Sequence, residues 1–98
     1  MIRSNSQAGI FSLKHYPGEG MSDRVRDHWI RRSRNLLKGE LTRREINYEE
    51  LAKRLKAIGV NDTADNLRTK INRGTFSSFF MLQVLHAIGV KSLDVHID

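Results

Sequence analysis

The fold is decided by residues 48–74, YEELAKRLKAIGVNDTADNLRTKINRG, which have the pattern of two short amphipathic helices joined by a tight connection. The apolar residues of the first helix recur at helical spacing, and they are Tyr48, Leu51, Ala52, Leu55 and Ile58. Asn47 is a suitable N-cap with Glu50 three residues later, as a capping box requires. Gly59 supplies the left-handed residue that ends this helix.

The second helix of the pair has three possible N-caps and ends at Gly74. The candidate caps are Asn61, Asp62 and Thr63. The predicted buried stripe consists of Ala64, Leu67 and Ile71. Opposite it lie Asp62, Asp65, Asn66, Thr69, Asn72 and Arg73, with Arg68 and Lys70 on the flanks. A polar, amide-rich and basic free face of this kind is how a recognition helix is presented to a major groove.

Two runs in this region, ELAKRL at residues 50–55 and NLRTKINRG at residues 66–74, carry a resemblance. Separated by a glycine turn, they resemble the helix-turn-helix of Cro and phage repressors. More closely, residues 25–90 are similar to an uncharacterised family of small bacterial and phage domains, in which a tryptophan helix precedes this pattern. The turn glycine follows Ala52 by seven residues here, and not by the four usual in repressors, so the first helix is about one turn longer. The resemblance implies a helix-turn-helix fold and DNA binding.

A long helix is predicted over residues 22–38, with Ser22 as its cap. Gly39 is predicted to end it, although the leucine spacing allows it to continue to Leu41. Its predicted inner face contains Val25, Trp29, Leu36, Leu37 and Leu41. Trp29 is interpreted as a core anchor, because a lone tryptophan on an apolar stripe usually packs inside.

The last helix is predicted over residues 78–88 and is apolar on more than one side. Its large apolar residues are Phe79, Phe80, Leu82, Val84, Leu85 and Ile88. Such a helix is expected to be widely buried, either in the domain core or partly in a dimer contact. Its end, LHAIGV at residues 85–90, repeats the pattern LKAIGV at residues 55–60, which indicates the same glycine C-cap used twice.

The predicted fold class is therefore mainly α, a four-to-five-helix bundle with a repressor-like helix-turn-helix. Residues 1–20 are interpreted as an N-terminal arm, mobile in part or forming a short strand, and residues 21–91 as the helical domain. Residues 92–98 alternate apolar and polar side chains, which predicts a C-terminal strand. Its partner would be residues 10–16 or the same tail of a second subunit, and the second arrangement makes a homodimer.

Charge favours a polyanionic partner. The net charge is +6, from 17 basic and 11 acidic residues, and residues 21–45 hold much of the excess. A basic protein of this size commonly binds nucleic acid, although a solvated helix face has the same composition. The chain has no cysteine, which fits a reducing cytoplasm, and no apolar run of about 20 residues, so no membrane span is expected.

Catalytic chemistry is not expected. The four histidines are His15, His28, His86 and His96, and they lack the spacing of metal ligands. No phosphate loop or nucleophile motif occurs. We therefore predict no enzyme activity, no metal and no cofactor.

The leading hypothesis is a bacterial or phage transcriptional regulator that binds double-stranded DNA with residues 62–73. The predicted base contacts are Asn66, Thr69, Asn72 and Arg73, because asparagine pairs with adenine and arginine with guanine. The predicted phosphate contacts are Arg43, Arg44, Arg68 and Lys70. Asp62 and Asp65 count against this hypothesis, because a carboxylate on the free face repels phosphate unless it caps the helix or accepts from a cytosine amino group. Asp62 as a cap would cost the hypothesis nothing, whereas Asp65 does weaken it.

The alternative hypothesis is a protein-interaction module, an adaptor or an antitoxin-like protein, built on the same scaffold. The arginine-rich first helix would then contact an acidic protein partner. RNA binding ranks third, because the chain lacks an aromatic stacking platform.

Overall fold

The computed structural model describes residues 20–95, which form four α-helices. They are α1 (Asp23–Arg43), α2 (Tyr48–Ala57), α3 (Ala64–Arg73) and α4 (Ser78–Ala87). The prediction of a mainly α fold is confirmed. The described residues form four helices, the lower of the two numbers predicted. No strand forms within residues 92–95, the described part of the predicted C-terminal strand. Residues 96–98, residues 10–16 and the rest of the predicted arm up to residue 19 lie outside the described residues.

All four helices begin at a side chain that caps the first turn. The caps are Ser22, Asn47, Thr63 and Ser77, which accept from the backbone N–H groups of Val25, Glu50, Asn66 and Phe80. The Asn47 cap is confirmed, with a distance of 2.8 Å from its Oδ1 to the Glu50 nitrogen. Of the three candidates before α3, Thr63 is the cap, at 3.1 Å from the Asn66 nitrogen. Each cap satisfies one backbone donor that the helix itself leaves unpaired.

The ends of α2 and α4 confirm the repeated C-cap. Gly59 and Gly89 follow the two helices with φ of 90° and 82°. In each case the next residue, Val60 or Val90, donates its N–H to a carbonyl five residues earlier at 2.9 Å. This backbone bond, with the glycine in the left-handed region, is the Schellman motif.

Of the two ends considered for α1, Gly39 is wrong, because the helix continues through this glycine and past Leu41 to Arg43. Leu37 and Leu41 are both in the core, at 0% and 5% exposure. Burying Leu41 contributes about 2 kcal/mol, which exceeds the roughly 1 kcal/mol that a glycine costs inside a helix. Arg43 therefore lies in the last turn of α1.

One hydrophobic core joins the four helices. Its members are Leu37, Leu41, Ile46, Leu51, Leu55, Leu67, Ile71, Phe80, Val84, Leu85 and Ile88. In this core α2 contacts α3 and α4, while α1 lies against α3 and α4. The predicted stripe of α3 is confirmed at Leu67 and Ile71, which are fully buried. The free face of α3 is therefore held rigidly from behind.

The predicted inner face of α1 is wrong at Val25 and Trp29, which are 40% and 44% exposed. Leu36 is only partly buried and is not a member of the core. Trp29 is not a core anchor. The core side of α1 runs instead through Ile30, Leu37 and Leu41. At 100° per residue, Val25 and Trp29 lie about 100–140° around the helix from Ile30. The sequence thus holds two apolar stripes on α1, which the prediction had combined into one.

Of the two expectations for α4, burial in the domain core holds for one side of the helix only, and a dimer contact stays a prediction. Phe80, Val84 and Leu85 enter the core, but Phe79 and Leu82 are 68% and 61% exposed. A helix of 10 residues that contacts α2 and α1 on one side has its other side turned away from the core.

Candidate nucleic-acid interface

The four predicted base contacts lie together on the exposed side of α3. Asn66, Thr69, Asn72 and Arg73 are all exposed, while Leu67 and Ile71 on the reverse side are fully buried. Helical geometry thus presents two amides, a hydroxyl and a guanidinium along one surface about 10 Å long. Their role toward bases stays a prediction.

Two of these side chains are engaged within the protein. The Thr69 hydroxyl donates to the Asp65 carbonyl at 3.0 Å. The Asn72 amide nitrogen donates to the Arg68 carbonyl at 2.9 Å, and its oxygen accepts from Lys38 Nζ of α1 at 2.9 Å. Asn72 must release both hydrogen bonds before its amide can pair with an adenine edge.

Both predicted phosphate contacts on α3 are paired with aspartates. Arg68 lies 2.5 Å from Asp65 Oδ1, and its guanidinium is 5.3 Å from the centre of the Tyr48 ring. Lys70 Nζ lies 2.6 Å from Asp62 Oδ2 and 5.3 Å from the centre of the Phe80 ring. Each pair reduces the positive charge that α3 offers to a phosphate.

Asp62 does not lie on the free face of α3, contrary to the prediction. Its side chain is only 9% exposed, between the Lys70 ammonium and the backbone N–H of Thr63. The hydrogen bond from Lys70, assisted by Asn66 and the Thr63 N–H, holds the pKa of Asp62 below its usual 3.8 against the opposing effect of burial. Asp62 therefore anchors the start of α3 and does not face a ligand.

Asp65, in contrast, has an 89% exposed side chain on the free face, as predicted. Its carboxylate is the acidic group that a phosphate approaching α3 would meet. The ion pair with Arg68 partly neutralises it, because the two groups are three residues apart on one helix.

Arg43 and Arg44 are both bound to a buried glutamate, Glu40, which the sequence analysis missed. Glu40 is 6% exposed, and its two carboxylate oxygens accept separately from Arg43 and Arg44, the latter at 2.5 Å. Arg44 also donates to the Glu40 carbonyl at 3.3 Å. Arg43 and Arg44 follow Glu40 by three and four residues, and side chains at this spacing are neighbours on a helix, so the sequence could have predicted both ion pairs. The structure thus gives both arginines a structural role at the end of α1, and their contact with phosphate stays a prediction.

Two lysines that the sequence analysis did not select lie beside α3. Lys53 and Lys56 of α2 line an open groove of about 480 Å³, together with Thr63 and Asn66 at the start of α3. Neither lysine forms a hydrogen bond or ion pair with any residue of the described range. Arg73 is likewise without such a partner there. These three cations are therefore available to a polyanion without breaking an internal contact.

No group of three or more histidine, cysteine or acidic side chains that could hold a metal ion occurs within residues 20–95. The ring of His28 lies edge-on to the ring of Trp29, and both side chains are exposed on α1. His86 is exposed on α4. His15 and His96 lie outside the described residues. None of the four described helices is long and apolar enough to cross a membrane.

Comparison with known proteins identifies a family but no characterised relative. No curated protein and no solved structure matches the chain significantly. A family profile matches residues 29–93, which is more than half of the 98 residues and includes most of α1 and all of α2, α3 and α4. The expectation of an uncharacterised family is confirmed, whereas the relationship to Cro and phage repressors stays a prediction. The chain belongs to the family described as a domain of unknown function, DUF6471.

Proposed function

We propose that this protein binds double-stranded DNA with α3 as its recognition helix, as a bacterial or phage transcriptional regulator. The observation that carries the proposal is the free face of α3. It displays Asn66, Thr69, Asn72 and Arg73 outward on a helix whose reverse side is fully buried. A helix that is polar outside and fixed from behind satisfies the main requirement of a major-groove reader.

Base recognition would use the two asparagines and the arginine. Asn66 and Asn72 can each form two hydrogen bonds with adenine, and Arg73 can do so with guanine. Arg73 needs no rearrangement, since it has no hydrogen-bond or ionic partner among the described residues. Asn72 would exchange its bonds with the Arg68 carbonyl and with Lys38 for the base, which leaves Lys38 free to contact a neighbouring phosphate.

Phosphate contacts would come from two groups of cations. Arg68 can exchange or share Asp65, because an exposed ion pair contributes only about 0–1 kcal/mol. Lys70 would contact a phosphate through the half of its side chain that stays exposed beside Asp62. Lys53 and Lys56 join them as unpaired cations on the neighbouring helix. Arg43 and Arg44 keep a phosphate role only through the parts of their guanidinium groups that Glu40 leaves exposed, since their side chains are 63% and 33% exposed.

A homodimer would place two copies of α3 in successive major grooves. The exposed apolar side chains of Phe79 and Leu82 on α4 are the candidate contact surface of this dimer. Sedimentation equilibrium of the full chain and of Leu82→Glu tests it. A dimer that dissociates in the variant supports the arrangement, and a wild-type chain that stays monomeric at all concentrations contradicts it.

The DNA proposal is tested by titrating labelled random-sequence duplex DNA with the full chain at two salt concentrations. Binding should weaken by about 0.9 log units per log of salt for each phosphate neutralised. An Arg68→Ala/Arg73→Ala double variant should lose most of the affinity, and Lys53→Ala/Lys56→Ala should lower the salt slope by about two.

The matched control is Arg24→Ala/Arg31→Ala, which removes the same charge from exposed positions on α1. It should change binding less than either test variant. Equal losses in all three double variants would indicate nonspecific attraction to a basic protein. Absence of binding at low salt would reject the proposal and favour the protein-interaction module.

A further inference from the structure

The connection from α3 to α4 borders a concave surface that also reaches the last turn of α3. We call it the aromatic pocket and define it by Arg73, Thr75, Phe76, Phe79, Phe80 and Gln83. Its volume is about 390 Å³, within the range of about 300–1,000 Å³ that small-molecule sites have in proteins. The pocket is thus large enough to hold a small molecule.

Three phenylalanine rings form the apolar wall of the aromatic pocket. The ring centres of Phe76 and Phe80 lie 5.8 Å apart, and Phe80 is buried in the core. Phe79, in the first turn of α4, is 68% exposed. A phenylalanine usually buries a large apolar area, so this exposed ring is available to pack against a planar ligand.

Three polar side chains of the pocket have no hydrogen-bond or ionic partner within residues 20–95, and they are Arg73, Thr75 and Gln83. Gln83 is nevertheless partly buried, and an amide away from water normally finds a partner. Free polar groups that converge beside an apolar wall are the usual arrangement of a small-molecule site.

The aromatic pocket carries one uncompensated positive charge. Its charged residues are Asp62, Lys70 and Arg73. Lys70 and Asp62 are paired at 2.6 Å, and the Asp62 side chain is only 9% exposed. Arg73 is therefore the one charge of the pocket without an ionic partner in the described chain. A guanidinium binds a carboxylate or a phosphate with two parallel hydrogen bonds.

We propose that the aromatic pocket binds a small aromatic anion, with its ring packed on Phe76 and Phe79 and its carboxylate or phosphate held by Arg73. Thr75 and Gln83 would form hydrogen bonds with polar groups on the ring. Single-stranded nucleic acid also offers planar rings and phosphates, but its binding proteins use several stacking side chains along a basic groove. One pocket with one free cation favours a single small ligand.

The consequence for DNA rests on the proposed function, because Arg73 is also a predicted base contact on the free face of α3. A ligand that holds the Arg73 guanidinium withdraws it from DNA. By linkage, ligand and DNA each weaken the binding of the other by the same factor. The aromatic anion would thus act as an effector that releases the DNA.

The experiment titrates the full chain without DNA, by isothermal calorimetry, with naphthoate as an aromatic carboxylate and adenosine monophosphate as an aromatic phosphate. Naphthamide keeps the ring without the charge, and cyclohexanecarboxylate keeps the charge without the aromatic ring. We expect one of the two aromatic anions to bind at least about tenfold more tightly than both control ligands. The tighter of the two identifies the anionic group that the pocket prefers.

Arg73→Gln and Phe79→Ala should each weaken binding of that anion by about tenfold or more. Both side chains are exposed, so neither change should unfold the protein. The matched controls are Arg26→Gln, which removes the same charge from exposed α1, and Leu82→Ala, which removes an exposed apolar side chain of α4 outside the pocket. Both controls should leave binding unchanged.

The effect on DNA is tested by adding a saturating concentration of the same anion to the DNA titration. The anion should weaken DNA binding by as much as Arg73→Ala alone does, and it should have no further effect on Arg73→Ala. Calorimetric binding of the anion without any effect on DNA would reject the effector role and support the ligand site alone.

Several results would overturn the ligand site. Absence of binding of both aromatic anions at millimolar concentration is one. Equal losses in Arg73→Gln and Arg26→Gln would mean attraction by net charge alone. Oligothymidylate that binds more tightly than the mononucleotide, and loses affinity in Phe79→Ala, would assign the pocket to single-stranded nucleic acid. Binding by Leu82→Glu but not by the wild type would show that a dimer covers Phe79.

Discussion

Gly74 lies so close to Ile30 that a Cβ atom on residue 74 would overlap the main-chain carbonyl oxygen of Ile30 and lie 2.8 Å from its Cγ2 atom. The C-terminal end of α3 therefore touches the backbone of α1 directly. Gly74 also has a φ of 72°, in the left-handed region. One glycine thus both ends α3 and sets its distance from α1, which fixes where Arg73 is presented.

Replacing Gly74 with alanine should destabilise the protein strongly. The methyl group must displace the Ile30 backbone, which costs about 1–3 kcal/mol, in addition to about 1 kcal/mol for the left-handed conformation. Gly59→Ala is the matched control, because Gly59 has a φ of 90° but nothing within 4 Å of the added Cβ. Urea denaturation of both variants measures the difference. Equal losses of free energy of unfolding would contradict the close contact.

Replacing Glu40 with glutamine should lower the free energy of unfolding by about 1–3 kcal/mol, because two half-exposed arginines lose their hydrogen bonds to a buried carboxylate. The control is Glu50→Gln, which breaks the exposed pair with Arg54 at 3.0 Å and should cost less than about 1 kcal/mol. Thermal unfolding, monitored by circular dichroism, compares the stabilities of the two variants. A Glu40 variant as stable as the Glu50 variant would show that Glu40 does not anchor the end of α1.

Replacing Asp65 with asparagine should strengthen DNA binding by about two- to tenfold at low salt, if α3 contacts DNA. The change removes an exposed negative charge from the free face and releases Arg68. Its control is Asp27→Asn, which makes the same change in net charge on exposed α1. Anisotropy titrations at two salt concentrations compare them. An equal gain in both variants would place the DNA contact elsewhere or make it nonspecific.

The stability of the protein should decrease at acid pH partly through Asp62. Its pKa is lowered in the folded state, mainly by Lys70, so the unfolded chain takes up a proton at a higher pH. The stabilisation is complete above the usual pKa of 3.8 and is lost as the pH falls through the lower folded pKa. Denaturant titrations between about pH 2.5 and 6 measure this. Both Asp62→Asn and Lys70→Gln should reduce the loss of stability on the acid side of the pH profile. An unchanged profile in Lys70→Gln would show that a group other than the Asp62–Lys70 pair causes this loss.

Local features of the fold could be predicted because they depend on residues near each other in the chain. The Asn47 cap, the paired C-caps at Gly59 and Gly89 and the buried stripe of α3 each involve residues within five positions of one another. The candidate face of α3 follows from the same periodicity. The sequence left open whether α1 ends at Gly39 or continues to Leu41, and the helix continues because burial of Leu41 outweighs the local preference of a glycine.

The existence of α2 and α3, the cap of α2 and the polar side of α3 follow from the amino-acid sequence alone, since backbone hydrogen bonding and helical periodicity are local. Which of the two apolar stripes of α1 enters the core depends on tertiary packing, because it is set by where α3 and α4 lie against this helix. Packing also sets which cations are free. Lys70 is neutralised by an aspartate eight residues away, and Lys38 reaches Asn72 across 34 residues. Such pairings follow from helix packing, which no local pattern specifies.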